Sequence, residues 1–175
     1  GKDPSLIKVL FGGKIEDENS IQVIANGWQA GINTFFSDKI ELDTKIDHPL
    51  GGVAAGGLAI FEVFTKVFEF DHFSFIRGKG ISLWAPNQIE NWFKPEFNGP
   101  SISYFPRQIW FSGLGHLGQA SIWLIGLYKD FSESGIKCIL QDDDVVDESN
   151  LYTQVLSNQK DVDKPKTRVC ASYLE

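Results

Sequence analysis

The chain has 175 residues, of which 42% are hydrophobic and 13% aromatic, which is enough apolar material for a packed core in one or two domains. Its formal net charge of -7 argues against nucleic acid or an anionic membrane surface as the partner. The two cysteines form neither a disulfide framework nor a metal-ligand cluster, no metal site is predicted, and no secretory signal is evident, so a reducing cytoplasm is expected.

The N-terminal part of the chain, residues 1–47, predicts short strands and turns, with strands at residues 7–11 and 21–25. A helix is predicted over residues 50–68. Its apolar residues recur at near-helical spacing, and they are Val53, Ile60, Val63, Phe64, Val67 and Phe68. Each glycine in this helix costs roughly 1 kcal/mol relative to alanine, so we expect close packing against another backbone, either a neighbouring helix or a twin subunit. Residues 50–61 are too short an apolar stretch to span a bilayer.

The middle of the chain predicts a short strand at residues 81–84 and then a linker over residues 85–106, because the latter segment carries four prolines among turn residues. The chain contains no methionine and ends within a helical pattern, so we interpret it as part of a longer protein. The predicted domains are an N-terminal region, 1–106, and a nucleotide-binding domain, 107–175, that is incomplete at its C-terminus.

The last third of the chain predicts a strand at residues 109–112, a glycine turn, a helix over residues 117–131 and a second strand at residues 136–140. The predicted buried side of the helix is Ala120, Trp123, Leu124, Leu127, Tyr128 and Phe131. In such a unit two glycines allow a tight turn close to a ligand, and a third lets the helix pack against the strand, so that helix N–H groups face a phosphate. A plain tight turn has the same glycine pattern.

The acidic residue that closes the second strand is Asp142, 24 residues after Gly118. A ribose-binding carboxylate lies at this place in dinucleotide-binding units. Asp142 also begins an acidic run, and most such runs are simply solvated. Up to this point an NAD(P)-dependent oxidoreductase fits the chain as well as any other nucleotide-binding protein.

The residues beyond this strand are more specific. They read D-x-D-x-V from Asp142, then S-N-L-Y-T-Q with Asn150 as its second residue, then D-x-D-x-x-K ending at Lys166, where a third helix is predicted over residues 164–174. Asn150 lies eight residues after Asp142 and sixteen before Lys166. In these patterns and spacings residues 107–175 resemble the adenylation domain of the ThiF/MoeB/ubiquitin-activating enzyme family, and the nearest type is a bacterial member with an extra N-terminal region.

The resemblance implies ATP-dependent adenylation, with Mg²⁺, of the C-terminal carboxylate of a ubiquitin-like or sulfur-carrier protein. It implies that Asp142 holds the ribose hydroxyls and that Asn150 and Lys166 bind the phosphates, with Lys166 as the catalytic residue. A lysine suits this step because negative charge builds up when a carboxylate attacks the α-phosphate. The implied nucleotide-binding residues are Gly113, Leu114, Gly115, Gly118, Asp142, Asp144, Asn150, Gln154 and Lys166.

The chain departs from the family pattern at two positions. Thr153 stands where the family has an arginine that contacts the triphosphate, and losing such a charge-assisted contact forfeits roughly 1.5–3 kcal/mol. Arg77 and Arg107 are the candidate replacements for that charge. Asp163 stands where the family has a glycine. The family's magnesium-ordering acid and its catalytic cysteine would lie beyond residue 175, and Cys138 and Cys170 are both expected in the core.

The predicted helix at residues 50–68 resembles, loosely, the small-residue helix at the dimer face of this family, with Glu62 and Lys66 as the matching residues. In the family that helix follows the nucleotide unit, whereas here it precedes it. One explanation is that the N-terminal region is a degenerate half of the same fold. The expected assembly is then a homodimer or a pseudo-dimer within one chain.

The sequence therefore predicts an α/β protein in which a Rossmann-like parallel sheet follows a smaller α/β or α+β region. The favoured function is adenylation of a ubiquitin-like or sulfur-carrier protein. One alternative is an NAD(P)-dependent oxidoreductase, which needs the glycine turn and Asp142 but gives no role to Asn150, Gln154 or Lys166. The other is a catalytically inactive scaffold subunit of an activating enzyme, a reading that Thr153 favours.

Overall fold

The computed structural model describes residues 6–42, 46, 48–70, 72, 74–128 and 135–175. The chain divides into two compact units, Gly1–Ser101 and Ile102–Glu175, and each is described by itself. The first unit holds strands β1 (Lys8–Phe11), β2 (Ser20–Asn26), β3 (Gln29–Thr34) and β4 (Lys79–Ser82) and helix α1 (Leu50–Val67). The second holds β5 (Gln108–Ser112), α2 (His116–Gly126), β6 (Lys137–Gln141) and α3 (Lys166–Leu174).

The first unit is built on a mixed four-stranded sheet in the order β1-β2-β3-β4. β1 and β2 are parallel, whereas β2, β3 and β4 run antiparallel to their neighbours. The predicted strands at residues 7–11 and 21–25 are confirmed as β1 and β2, whereas the strand predicted at 81–84 is found two residues earlier, as β4. β3 follows β2 through a hairpin turn in which Gly27 has a φ of 55°. This hairpin gives no support to the hypothesis that the region is a degenerate copy of a parallel unit.

Helix α1 confirms the predicted helix but not its predicted buried face. Its buried residues are Gly51, Ala55, Ala59, Glu62 and Thr65. Of the predicted apolar stripe, only Val63 packs against the core of Ile21, Ile32, Ala59 and Phe75, and the other members are exposed. The small residues face the sheet because the backbones lie close together. A Cβ on Gly51 would lie 2.5 Å from the main-chain oxygens of Gln29 and Gly27.

The outer face of α1 is strongly apolar. Ile60, Phe64, Val67 and Phe68 lie beside Phe11 of β1 around a shallow groove of about 540 Å³. By length and composition alone α1 is able to cross a membrane, so the prediction that this segment is too short is wrong. The criterion is weak, however, because core helices of soluble proteins also meet it, and the small-residue face of α1 packs on its own sheet.

Residues 85–101 are not a linker, contrary to the prediction. The side chain of Trp92 is buried, and its ring fills the space above two strand glycines, where a Cβ on Gly31 or Gly80 would lie 2.2 Å from ring atoms. The buried amide of Gln29 donates hydrogen bonds to the carbonyl oxygens of Trp92 and Lys94. This proline-containing segment is therefore held by the sheet as part of the first unit.

The second unit contains a strand–helix–strand arrangement with parallel β5 and β6, paired from Gln108 with Lys137 to Ser112 with Gln141. This confirms a mixed α/β protein with a parallel strand pair, and the finer Rossmann-like assignment remains a prediction. The exposed side chains of Trp110 and Ile139 occupy one face of the pair. The opposite face packs through Phe111 and Leu140 on the core of Leu114, Ile122 and Cys170.

Helix α2 is shorter than predicted and buries a different side. It ends at Gly126, and Leu127 and Tyr128 are not helical, whereas Phe131 lies outside the described residues. Its buried residues are Gln119 and Ile122, not the predicted face that begins at Ala120, which is exposed. A Cβ on Gly126 would lie 2.5 Å from the ring of Tyr173, so this glycine makes room for α3.

Glu62 and Lys66, matched above to a dimer-face helix, both interact within the first unit. The Glu62 side chain is 1% exposed, and its carboxylate accepts a hydrogen bond from Lys79 Nζ at 2.6 Å. Lys66 Nζ lies 5.8 Å from the ring centroid of Phe75, a cation–π distance. The Glu62–Lys79 ion pair therefore joins α1 to β4 in the interior of the unit.

Replacing Lys79 by methionine is expected to lower the free energy of unfolding by about 3 kcal/mol, because the buried carboxylate of Glu62 loses its counterion. Urea denaturation followed by circular dichroism measures this change. Lys39→Met is the matched control, since the Lys39–Glu41 pair is exposed and contributes at most about 1 kcal/mol. Adding Glu62→Gln to Lys79→Met should restore part of the loss, and equal effects of the Lys79 and Lys39 substitutions would contradict the assignment.

Candidate functional site

The glycine turn, residues 113–118, lies where β5 ends. The fold requires its glycines to different degrees. Gly113 has a φ of 88°, and its N–H donates to the carbonyl oxygen of Gln141 at 2.9 Å. At Gly118 a Cβ would lie 2.1 Å from the carbonyl oxygen of Gly113, so no other residue fits there. Gly115 has an ordinary φ of -70° and open space where a Cβ would be. The fold thus requires Gly113 and Gly118 but does not require Gly115.

The carboxylate of Asp142 joins this turn to the end of β6. One of its oxygens accepts the N–H of Leu114, and the other accepts the N–H of Asp144 at 2.8 Å. Burial acts to raise the pKa of Asp142, but these two N–H donors and the charge of Lys166 outweigh it, so the pKa lies below its ordinary value. Asp142 is therefore an ionised acceptor with lone pairs left for further donors. The N–H of Leu114 is occupied by Asp142.

Lys166 is held at the same edge of the sheet by its own backbone and side chain. Its N–H donates to the carbonyl oxygen of Asp144 at 3.1 Å, and Val145 forms a β-bridge with Pro165. The Lys166 residue is 7% exposed, and its Nζ donates to a carboxylate oxygen of Asp144 at 2.7 Å. A buried cation is thus placed next to residues 142–147, which we call the acidic loop, with a partner carboxylate that is itself largely exposed.

Asp163 takes the conformation for which the family's glycine is suited. Its φ is 69°, in the left-handed region, which aspartate and asparagine enter more readily than other non-glycine residues. Its N–H donates to the carbonyl oxygen of Val146, and the N–H of Val146 donates to that of Lys164. The departure from glycine at this position therefore leaves the turn before Lys166 intact.

Asn150 lies in a 3-10 helix, Glu148–Tyr152, that follows the acidic loop. Its Oδ1 accepts the N–H of Asp147, and the Asp147 carboxylate accepts the N–H of Ser149, which forms a capping box. Since a side-chain amide carries both an acceptor and a donor group, fixing Oδ1 leaves the NH₂ group of Asn150 as its donor to a ligand. Thr153, three residues later, is exposed and donates only to the carbonyl oxygen of Asn150.

Gln154 is buried in a side-chain network, which sequence reasoning did not anticipate. Its Oε1 accepts from Gln119 Nε2 at 2.7 Å and from the Ser157 hydroxyl at 2.9 Å. Gln119 is fully buried on α2, and it also donates to the carbonyl oxygen of Leu114. The network ties the glycine turn to the segment after Asn150, which favours an indirect, supporting role for Gln154. The sequence feature that could have indicated this network is the polar residue at position 119, next to an apolar face of the helix.

Of the two candidate replacements for the family's arginine, Arg107 does not lie at this edge of the second unit. Arg107 immediately precedes β5, so it lies at the opposite end of the strand from Gly113, about 20 Å along an extended chain. Arg77 belongs to the first unit.

The carboxylates of Asp142, Asp143 and Asp144 lie close enough together to hold a metal ion, with ligand oxygens within 4.8 Å of one another. Oxygen donors of this kind suit Mg²⁺.

Of the two cysteines expected in the core, Cys170 is a core residue and Cys138 is not. Cys170 is fully buried in the core, as predicted, and burial, together with the charge of Asp142, raises the pKa of its thiol to about 11. Cys138 is partly exposed on β6, and burial raises its pKa as well. A thiol with a raised pKa is a poor nucleophile at neutral pH.

Comparison with known proteins identifies relatives over both units. Models of the BilD N-terminal domain and the BilD C-terminal domain match residues 2–83 and 105–175. The chain is 31% identical over 169 residues to the bacterial E1-like protein BilD of Collimonas sp. (strain OK412), which covers 93% of this chain and 36% of that protein. The chain thus spans about a third of this curated relative. These matches relate the chain to bacterial E1-like proteins over both units.

Among solved structures, the chain is similar to the crystal structure of E. coli MccB with AMPCPP and SeMet MccA. The match has 18% sequence identity and a TM-score of 0.32, and it covers 88% of this chain and 49% of that chain. A TM-score of this size does not establish a shared fold, so the ThiF/MoeB placement is supported only as a relationship to E1-like proteins.

Alanine substitutions at two glycines of the turn should show which of the two the fold requires. Gly118→Ala is expected to lower the free energy of unfolding by at least about 2 kcal/mol, because the new Cβ collides with the Gly113 carbonyl. Gly115→Ala should cost less than about 1 kcal/mol, since its Cβ meets open space. Chemical denaturation followed by circular dichroism measures both changes. Equal losses in the two variants would show that the turn geometry is wrong.

Alkylation should distinguish the two cysteines in the native protein. With iodoacetamide at pH 7, Cys170 is expected to stay unmodified until denaturant is added, because its thiol is buried and its pKa is about 11. Cys138, which is partly exposed, is the internal comparison and should react first. Mass spectrometry of the two cysteine peptides measures the rates. Rapid native labelling of Cys170 would mean that it is not a core residue.

Proposed function

We propose that this E1-like protein takes part in ATP-dependent adenylation of the C-terminal carboxylate of a ubiquitin-like or sulfur-carrier protein. The observation that carries the proposal is the placement of Lys166. Its buried ammonium group lies beside Asp144 at the same sheet edge as the glycine turn and Asp142. These groups come from three separate segments of the chain, and the spacing between them is the one that the adenylation family uses.

The chemistry assigned to this edge is the formation of an acyl-adenylate. An oxygen of the partner's carboxylate attacks the α-phosphorus of ATP, a new P–O bond forms, and pyrophosphate leaves with the electron pair of the broken P–O bond. Negative charge on the α-phosphate oxygens increases in the transition state, and a fixed cation in a partly dry site stabilises that charge. We assign this role to Lys166. The NH₂ group of Asn150 would donate to a phosphate oxygen.

The nucleotide would lie against the glycine turn. Gly115 and the residues after it begin α2, where the first backbone N–H groups have no acceptor within the helix and no side-chain cap. Such N–H groups favour an anion. Gly115 is also the turn glycine that the fold itself does not require, which is expected where a ligand approaches the backbone. Asp142, ionised and with spare lone pairs, would accept the ribose hydroxyls.

ATP carries a bound Mg²⁺ in this chemistry, and the ion neutralises phosphate charge. The exposed carboxylates of Asp143 and Asp144 offer oxygen ligands of the type that Mg²⁺ prefers. We propose that the nucleotide substrate is ATP and that the protein acts in the cytoplasm. We also propose a homodimer or an intrachain pseudo-dimer, in which the apolar outer face of α1 becomes covered.

A scaffold role without catalysis is the second candidate, and one observation favours it. Thr153 replaces the family's arginine and is exposed, and Arg107 lies at the far end of β5. Among the described residues of the second unit, the ion pair at this edge involves Lys166 and no second lysine or arginine. An NAD(P)-dependent oxidoreductase is less favoured, because it explains the glycine turn and Asp142 but not the buried Lys166–Asp144 pair.

ATP binding measured by calorimetry in the presence of Mg²⁺ should depend on Lys166. Lys166→Met is expected to weaken binding by about tenfold to a hundredfold, because a charge-assisted contact contributes roughly 1.5–3 kcal/mol. Lys164→Met is the matched control, since Lys164 is exposed and pairs with Asp161, and it should change binding by less than about twofold. Circular dichroism verifies that both variants are folded.

The outcome with the intact protein separates the three functions. ATP binding together with pyrophosphate exchange in the presence of a carrier protein supports adenylation. Binding without exchange leaves the scaffold role. Failure to bind ATP, with binding of a nicotinamide dinucleotide instead, would overturn the proposal in favour of the oxidoreductase.

A further inference from the structure

A groove on the second unit combines a basic rim with an apolar floor. We name it the basic groove and define it by the rim residues Lys160, Lys164 and Arg168 and the floor residues Leu156 and Val169. Its volume is about 270 Å³. This volume lies near the lower end of the range for small-molecule sites, roughly 300–1,000 Å³, so the charges and apolar contacts of the lining, and not the volume, indicate the occupant.

The basic groove concentrates positive charge in an acidic protein. The chain has a formal net charge of -7. Within residues 102–175, however, four of the seven lysines and arginines lie between residues 160 and 168. Fields of distant charges are screened over about 8 Å at physiological ionic strength, so a ligand in the groove experiences these nearby cations more than the remote carboxylates.

Two of the three rim cations are available to a ligand. Lys164 Nζ pairs with the Asp161 carboxylate at 3.0 Å, and that carboxylate also accepts the N–H of Asn158. The side chains of Lys160 and Arg168 make no ion pair or hydrogen bond within the described residues. The lining therefore has a positive balance even after the Asp161 pair is counted.

We propose that the basic groove docks an acidic segment of a partner protein, an extended stretch in which an Asp or Glu lies two residues before and two residues after an apolar residue. The apolar side chain would rest on Leu156 and Val169, and the flanking carboxylates would meet Lys160 and Arg168. Residues two apart on an extended chain are about 6.6 Å apart and point the same way.

A compact phosphate fits the basic groove less well. A carboxylate of Asp161 lies among the cations and would repel a phosphate, and a phosphate would leave the apolar floor unused. A polynucleotide would extend beyond the groove into the field of a chain with a net charge of -7. A peptide places its charges selectively and its apolar group on the floor.

This inference does not rest on the proposed adenylation. Arg168 is two residues beyond Lys166 on α3, and successive helical residues are turned by about 100°, so the two side chains lie on nearly opposite sides of the helix. Lys166 contacts Asp144, whereas Arg168 lines the groove. Either function can therefore fail in experiment without the other.

The test is fluorescence anisotropy of the full chain with a short labelled peptide in which Glu lies two residues before and two residues after one Leu. Binding is expected, and it should weaken as salt is raised. Arg168→Glu and Lys160→Glu should each weaken it tenfold or more, whereas Arg168→Lys should retain it. Lys137→Glu changes the net charge by the same amount on exposed β6 and should leave binding within twofold.

Several outcomes would overturn the proposal. They are absence of binding to the intact chain, equal binding of a peptide with Gln in place of Glu, and an equal loss in the Lys137→Glu variant. Displacement of the peptide by millimolar inorganic phosphate that itself requires Arg168 would identify a phosphate site instead. Circular dichroism of each variant distinguishes a lost groove from a lost fold.

Discussion

The candidate site depends on one carboxylate, that of Asp142. It accepts the N–H of Leu114 from the turn after β5 and the N–H of Asp144 from the loop after β6. Parallel pairing in register brings these two strand ends to the same edge, and the carboxylate then fixes one turn against the other. Because the backbone of Lys166 pairs with the carbonyl oxygen of Asp144, the position of the cation follows from the same link. The turn, the acidic loop and Lys166 form one hydrogen-bonded structure.

Much of this edge could be predicted from sequence because its determinants are local. The glycine spacing, the strands on either side and the place of Asp142 follow from backbone rules that act over a few residues. The network of Gln119 with Gln154 and Ser157 could not be predicted, because it joins segments 35 or more residues apart along the chain and depends on which side of α2 is buried. The meaning of Asp163 likewise required its φ, which the sequence does not state.

Helix α1 shows the opposite case, in which the correct element was predicted with the wrong face. Apolar periodicity assigns the large side chains to the interior. In the structure the sheet instead contacts the small residues, since Gly51 lets the helix backbone lie against β3 and Glu62 reaches Lys79. Close backbone approach and one buried ion pair thus determine the orientation, and the large apolar residues remain on the outside. The hydrophobic pattern of the sequence indicates neither the close backbone approach nor the buried ion pair.

The charge at the glycine-turn edge determines what the proposed chemistry needs. Three carboxylates, Asp142 to Asp144, lie there beside Lys166, the buried lysine among the described residues, and Thr153 supplies no charge. A triphosphate brings further negative charge to a region that is already negative. Unlike a family member with an arginine at position 153, this chain would therefore depend on Mg²⁺ both to offset the phosphates and to engage the exposed carboxylates. Without the metal the acidic loop would repel the phosphates, whereas with the metal bound its carboxylates would serve as ligands. This gives one physical reason for carboxylates beside a phosphate-binding turn.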